Sequence, residues 1–291
     1  MENFTVSAFA DEIAPDLPTQ IRALKANGIS HLELRAIDHT SVSDFTLEAA
    51  KAYQAQLAAN GLQVSSIGSP IGKIRIDEPF APHLARFEHT LQIARIFKSP
   101  YVRMFSFYLP EAGGDWAQYR DEVIARWRQF LQKAKAYPEI TLLHEDEKEI
   151  FGDTPERCLD LVTTLNDPQL QLAFDPANFV QCNVQVFPHA LALLKQHVVY
   201  MHIKDAVYAD GHVTPAGQGE GRVQDVLTAL VAEDFHGFAS IEPHLTMFDG
   251  SAELENSAVS FQRARGDGEV LFDVAAEALR KLFATMGQRW Q

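Results

Sequence analysis

Short strand-like and helix-like segments alternate eight times along this chain. The strand-like segments are runs of apolar or β-prone residues, and Gly, Asn or Pro closes several of the helix-like segments between them. Eight strands that are each followed by a helix favour a closed parallel (β/α)8 barrel, or TIM barrel. The strands are predicted at residues 5–10, 31–35, 63–69, 101–107, 140–145, 170–175, 198–204 and 237–242.

The segments between the strands complete this architecture. Helices are predicted at residues 17–27, 46–60, 81–97, 115–136, 155–165, 187–197, 223–233 and 270–286. A doubly wound open sheet is the alternative, but no glycine-rich dinucleotide fingerprint follows the first strand. No linker or composition break divides the chain, so we expect one domain over residues 1–291. Residues 246–268 are long for a barrel loop, and we expect them to cover part of the site or to form a subunit contact.

Charge and composition exclude several classes of partner. The formal net charge is −14, which disfavours binding to nucleic acid or to an anionic membrane surface. No stretch reaches the roughly 18 apolar residues of a membrane span, and the first residues do not read as a signal peptide. Two cysteines, Cys158 and Cys182, do not make a disulfide scaffold. We therefore expect a cytoplasmic protein.

Four consecutive predicted strands, the fifth to the eighth, end at ionisable residues. These are Glu145, Asp175, His202 and Glu242. A single such residue is as well explained by a salt bridge or a helix cap, but four strand ends meet at one rim of a barrel. Burying these groups without a partner is costly, and one divalent metal is the simplest shared partner. Three carboxylates and one imidazole suit Mn²⁺, Mg²⁺, Co²⁺ or Zn²⁺ rather than a structural zinc site.

The alternation of side chains along the strands adds candidate substrate-binding residues. Positions two apart share a face, and the apolar residues of these strands are expected to face the helices, so the polar ones face the interior. A purely structural ion pair within the barrel is the alternative for several of them. His144 precedes Glu145 and is expected to point away from the site. The candidates from alternation are Arg35, Lys204, His244, Glu33 and Arg103. Asn178, three residues after Asp175, is a further candidate because the composition of DPAN favours a turn that would bring it to the site.

Two glutamates on one metal can stand on opposite faces of a substrate. The metal would polarise a carbonyl and stabilise an enediolate, while Glu145 and Glu242 remove and return the α-proton. Return to the opposite face gives epimerisation, and return to the neighbouring carbon gives isomerisation. Loss of a β-hydroxyl gives dehydration. We therefore expect a metal-dependent isomerase or epimerase of a sugar or keto-polyol, with a dehydratase or lyase as the alternative.

The sequence around these residues resembles the xylose-isomerase-like TIM-barrel family of sugar phosphate isomerases and epimerases. The resemblance covers nearly the whole chain. It is carried by SAFADE, GISHLELR, IGSPIGK, HEDEKEIFGDTPERC, AFDPANF, YMHIKDA, PAGQGEG and SIEPH. It implies one divalent metal bound by Glu145, Asp175, His202 and Glu242, with the two glutamates as the acid/base pair. It also implies a homo-oligomer.

Departures from particular members of the family bear on the substrate. Ketohexose 3-epimerases carry His three residues after the aspartate, where this chain has Asn178, and Arg shortly after the metal histidine, where it has Lys204-Asp205-Ala206. HIKDA followed by PAGQGEG is more similar to members that act on inososes. The extra histidines of the apurinic-site endonucleases are missing, so that activity is disfavoured. A non-catalytic carbohydrate-binding barrel is the remaining alternative, and the complete ligand set speaks against it.

Overall fold

Eight parallel strands form the wall of a nearly closed barrel in the computed structural model, which describes residues 2–110, 115–245 and 268–291. The strands pair in the order β1-β8-β7-β6-β5-β4-β3-β2, and a single bridge from Phe9 to Glu33 joins β1 to β2. The predicted TIM barrel is therefore confirmed. The strands are β1 (Phe4–Ala8), β2 (His31–Leu34), β3 (Gln63–Gly68), β4 (Tyr101–Met104), β5 (Thr141–Glu145), β6 (Leu170–Phe174), β7 (Val198–Ile203) and β8 (Gly237–Ile241).

Helices surround the barrel and begin at short polar caps. Asp16 accepts a hydrogen bond from the Thr19 N–H at 2.9 Å, and Thr46 accepts one from the Ala49 N–H at 3.1 Å. Each bond satisfies an N–H group that the first helical turn leaves unpaired. The helices are α1 (Leu17–Ala26), α2 (Leu47–Ala59), α3 (Phe80–Phe97), α4 (Arg120–Ala134), α5 (Pro155–Leu165), α6 (Pro176–Gln181), α7 (Leu191–Leu194), α8 (Val223–Ala232) and α9 (Gly268–Thr285). None of the helices in the described residues is long and apolar enough to cross a membrane.

Hydroxyl groups line part of the barrel interior. Ser7 Oγ lies 2.6 Å from Ser65 Oγ, which lies 2.9 Å from the Tyr200 hydroxyl. The Tyr200 ring packs against the edge of the His202 ring, with 5.7 Å between centroids. Since buried hydroxyls need partners, this cluster forms a hydrogen-bonded support directly beneath the carboxyl ends of the strands.

Two predicted segments differ from the structure, and a third cannot be compared with it. The helix expected at 187–197 is a π-type turn over Val186–Ala190 followed by the single turn α7. Phe187 is extended because a following proline disfavours the helical conformation. The strand expected to reach residue 107 ends at Met104, since the Phe105 N–H bonds to the Ile71 carbonyl at 2.8 Å. The expectation for 246–268 lies outside the described residues except at position 268.

Candidate metal centre

The structure brings the four predicted metal ligands together at the carboxyl ends of β5 to β8. Glu145 ends β5, Asp175 directly follows β6, His202 lies within β7 and Glu242 directly follows β8. One ligand atom from each of these residues lies within 4.8 Å of all the others, and all four residues are buried. The parallel pairing of neighbouring strands is what places these side chains around one point.

His202 presents its two ring nitrogens to different partners. Nδ1 lies 2.7 Å from Glu145 Oε1, 3.8 Å from Glu242 Oε2 and 3.9 Å from Asp175 Oδ2. Nε2 lies 3.1 Å from Glu33 Oε2 on the other side of the ring. Nδ1 is therefore the nitrogen that faces the three carboxylates.

Two buried cations balance these carboxylates. Arg103 Nη1 donates to Glu145 Oε2 at 2.8 Å. Lys204 Nζ lies 3.0 Å from both Asp175 Oδ2 and Glu242 Oε2. Because a buried charge is stable only when it is paired, Arg103 and Lys204 allow the carboxylates to remain at the barrel rim.

The charges of the cluster shift its pKa values in different directions. Burial opposes the ionisation of Glu145, but the positive charges of His202 and Arg103 together outweigh it and lower the pKa of Glu145 to about 2. Burial raises the pKa of Asp175 to about 7, although Lys204 acts in the opposite direction. Burial disfavours the charged form of His202, but Glu145 and Glu33 raise its pKa well above the usual value. Since a metal needs the Nδ1 lone pair, metal binding here would be coupled to the release of a proton.

Arg35 and His244 lie on the outer side of Glu242. Arg35 Nη1 is 3.4 Å from Glu242 Oε1, while its other nitrogens pair with Asp11 Oδ2 at 2.7 Å and Glu12 Oε1 at 3.1 Å. His244 Nε2 lies 3.1 Å from an oxygen of both Glu12 and Glu242. Glu12, Glu242 and His244 thus form a second group with metal-ligand spacing. The guanidinium of Arg35 already supplies positive charge there, which disfavours a second divalent ion.

Asn178 also reaches the site, from the first turn of α6. Its Nδ2 donates to the Asp146 carbonyl at 2.7 Å and to Glu145 Oε1 at 3.3 Å. Asp175 caps the same helix, because its Oδ1 accepts the N–H groups of Ala177 and Asn178. The turn after β6 therefore positions a candidate metal ligand and an amide together.

His144 points away from the centre, as the alternation of β5 predicts. Its Nε2 lies 2.9 Å from Ser106 Oγ, and its ring packs against Trp127 with 5.8 Å between centroids. Burial lowers the pKa of His144 to about 3. This histidine is a neutral packing residue between the barrel and α4.

A pocket opens beside the cluster, and sequence reasoning missed part of its surroundings. Lys73 Nζ lies 3.1 Å from Glu147 Oε2 and 4.3 Å from the centre of the Phe105 ring. The missed residues are Asp11, Glu12 and Lys73. Asp11 and Glu12 come soon after β1, so the reasoning that found the other strand-end residues applied to them as well. The pocket is lined by Arg35, Ser41, Gly68, Pro70, Lys73, Arg103, Glu147, Glu242 and His244.

The residues of the cluster fit a divalent metal. Asp175 Oδ1 is occupied by two backbone N–H groups. Asp175 Oδ2 is buried and receives no well-aligned hydrogen bond, although Lys204 Nζ lies 3.0 Å and His202 Nδ1 3.9 Å from it. Asp175 Oδ2 therefore has unused lone pairs. Together with the two glutamates and the imidazole nitrogen of His202, it forms a donor set that suits a hard or borderline divalent ion.

The fold and this cluster define a TIM barrel with a candidate metal site at the carboxyl end of its strands. The family described as xylose isomerase-like TIM barrel matches residues 21–263, and the chain belongs to this family. No curated protein sequence matches the chain at a significant level.

Three solved structures illustrate the similarity in fold. An L-ribulose 3-epimerase has a TM-score of 0.76 and 16% identity, with 99% of this chain and 96% of that chain covered. The IOLI protein with a binding zinc atom has a TM-score of 0.73 and 12% identity, with 97% and 99% covered. The probable 3-DHS dehydratase AsbF from Bacillus anthracis has a TM-score of 0.69 and 17% identity, with 96% and 99% covered. At these identities the likeness concerns the fold alone.

Proposed function

We propose that this chain is a divalent-metal-dependent isomerase or epimerase that transfers a proton within a sugar or keto-polyol. The convergence of three carboxylates and His202 Nδ1 within 4.8 Å is the observation that carries the proposal. The similar fold of an L-ribulose 3-epimerase and of a zinc-binding protein supports it.

Glu145, Asp175, His202 and Glu242 would hold the ion, for which Mn²⁺, Mg²⁺, Co²⁺ and Zn²⁺ all suit the mixed oxygen and nitrogen donors. When bound, the ion would polarise a substrate carbonyl and so acidify the neighbouring C–H group. Asp175 and His202 come between the two glutamates in the order of the strands along the rim, and we propose that the glutamates act on opposite faces of the bound substrate.

Both glutamates are suited to begin the reaction as bases. Arg103 contacts Glu145, and Lys204 contacts Glu242. Burial opposes the ionisation of Glu242, but Lys204 and His244 lower its pKa well below the usual value. The pKa of Glu145 is lowered as well, to about 2. One ionised glutamate would remove the α-proton on its own face. The other glutamate would take up a proton from water and deliver it to the opposite face of the enediolate, which is epimerisation.

Donor groups around the pocket would bind the oxygens of the substrate. Arg35, Arg103 and His244 line the pocket directly. Lys204 and Asn178 lie one step deeper, where they contact Glu242 and Glu145. We propose that these five residues orient the substrate and hold the glutamates in position. A cytoplasmic homo-oligomer without a nucleic-acid partner stays a prediction.

Dehydration is the second candidate function. His244 Nε2 lies 3.1 Å from Glu242 Oε1 at the edge of the pocket. An imidazole in this position can donate a proton to a leaving hydroxyl after Glu242 has removed the α-proton. The similar fold of a probable dehydratase supports this alternative.

Metal removal and restoration tests the proposal. Protein treated with a chelator should lose turnover of a panel of ketoses, sugar phosphates and inososes, and added Mn²⁺ or Mg²⁺ should restore it. Asp175→Asn should weaken metal binding, whereas Asp210→Asn, at an exposed aspartate, is the matched control. Full turnover after chelation, or no bound ion in the untreated protein, would contradict the proposal.

A further inference from the structure

Glu33 lies behind His202, on the opposite side of the imidazole from the three carboxylates. Its Oε2 is 3.1 Å from His202 Nε2, and both side chains are completely buried. We propose that Glu33 is a positioning residue that orients His202 for a divalent metal, rather than a residue that contacts substrate. This inference rests on the proposed function, because it assigns His202 to the metal.

The hydrogen bond selects which nitrogen is available to the metal. A neutral imidazole carries one N–H, and a carboxylate beside Nε2 holds that hydrogen there. Nδ1 faces Glu145 Oε1 at 2.7 Å, a separation that requires a hydrogen between the two atoms when no ion is bound. A bound ion would displace that hydrogen, while Glu33 keeps the one on Nε2. A carboxylate on the second nitrogen also makes a histidine a stronger donor, and such partners are frequent in metal sites.

The surroundings hold both side chains in this arrangement. The rings of Phe9 and Tyr200 pack against His202 in edge-to-face contacts, with centroids 5.2 Å and 5.7 Å away. Arg103 Nε lies 3.9 Å from Glu33 Oε1, so one guanidinium contacts both Glu33 and the metal-ligand candidate Glu145.

The backbone at Glu33 is also irregular. The pairing of β2 with β3 shifts register between Leu32 and Glu33, and the bridge to Phe9 forms at Glu33 itself. Irregularities of this kind redirect a side chain and are common beside functional sites. The Glu33 carboxylate therefore reaches across the barrel to β7, where His202 lies.

Two substitutions at Glu33 test the assignment. Glu33→Leu removes the acceptor, and we expect the dissociation constants for Mn²⁺ and Co²⁺ to rise about 10- to 100-fold in calorimetric titrations. Glu33→Gln keeps an oxygen that can accept the N–H, so we expect a smaller loss. Tyr200→Phe is the matched control, since it alters a buried neighbour of His202 but neither ring nitrogen, and its metal affinity should stay within about twofold of wild type.

Spectroscopy separates positioning from general damage to the fold. The visible spectrum of bound Co²⁺ should change in the Glu33 variants and not in Tyr200→Phe. In the Zn²⁺-loaded wild type, ¹⁵N NMR should show His202 with its hydrogen on Nε2. This measurement uses no variant, so it tests the inference even if Glu33→Leu does not fold.

The outcomes distinguish this inference from the proposed function. Wild-type affinity and an unchanged Co²⁺ spectrum in Glu33→Gln and Glu33→Leu would overturn the inference alone. So would a loaded protein in which His202 carries its hydrogen on Nδ1. A wild-type protein that binds none of these ions would refute the proposed function and this inference with it.

Discussion

Asp205 anchors the loop that follows β7, and its replacement by asparagine gives a prediction with a defined magnitude. Its Oδ1 accepts the N–H groups of Ala206 and Gly221, at 2.9 and 2.8 Å. Its Oδ2 accepts those of Gly217 and Gly219, at 2.9 and 3.0 Å. Each oxygen therefore holds two backbone donors. The loop has no room for a larger side chain, since a Cβ at Gly219 would lie 2.4 Å from Asp205 Oδ1.

Asparagine keeps one accepting oxygen and places an amide NH₂ group against two N–H donors. Whichever way the amide turns, two hydrogen bonds to a charged acceptor are lost. At about 1.5 kcal/mol each, we expect Asp205→Asn to lower the free energy of unfolding by about 3 kcal/mol. Urea unfolding followed by circular dichroism measures this change. Because Asp205 directly follows Lys204, we also expect kcat/KM to fall.

Asp210→Asn is the control for this prediction. Asp210 belongs to the same connection but is exposed, where it accepts the N–H of His212 at 3.0 Å. Its replacement should change the free energy of unfolding by less than about 0.5 kcal/mol. If Asp205→Asn were as stable as Asp210→Asn, the carboxylate of Asp205 would not be the anchor of the loop.

Three further substitutions test two residues of the site and one buried histidine outside it. Glu145→Gln should retain the fold and much of the metal but lower kcat about 10²- to 10⁴-fold in steady-state assays, as expected for a lost acid/base group; unchanged turnover would contradict the two-glutamate mechanism. Lys204→Met should raise KM or lower kcat, and wild-type kinetics would leave Lys204 a structural role alone. Burial lowers the pKa of His83 from 6.5 to about 4, and His83 accepts the Gly72 N–H at 2.7 Å. Because the folded pKa lies below the unfolded one, this stabilisation is present above pH 6.5 and is lost as the pH falls, by about 3 kcal/mol at pH 4. His83→Gln should flatten the pH dependence of urea unfolding in this range, and an identical pH dependence would refute the assignment.

The sequence predicts the barrel and the metal ligands by one and the same rule. Apolar strands that end at Glu145, Asp175, His202 and Glu242 must meet at one rim if the strands are parallel neighbours. The structure has these strands as β5 to β8 of a nearly closed barrel. Alternation along β5 also predicts that His144 faces the helices, and it does.

Contacts across the barrel are harder to predict. Glu33 and His202 are 169 positions apart, and nothing in either strand indicates that their side chains meet. The carboxylates that pair with Arg35 are equally hard to predict, since Asp11 and Glu12 come from the connection after β1. The alternation of residues along one strand predicts which face of the sheet a side chain occupies. The partner of that side chain on a distant strand depends on how the whole barrel closes.

Contacts between a side chain and the backbone are even harder to predict from the sequence. Asp205 accepts backbone N–H groups, which every residue except proline has, so the type of residue does not identify its partners. Only the glycines of PAGQGEG indicate that this backbone comes close to the Asp205 side chain. The helix expected at 187–197 fails for a local reason, because Pro188 keeps Phe187 extended.

Proton exchange in D₂O tests the central claim most directly. With Mn²⁺ or Mg²⁺ added, ketoses, sugar phosphates and inososes would each be followed by NMR for deuterium at the carbon next to the carbonyl. The proposed mechanism predicts that at least one of them exchanges, and that Glu145→Gln and Glu242→Gln suppress the exchange. A metal-loaded protein that turns over one of these compounds with no deuterium entering that carbon would contradict proton transfer by the two glutamates.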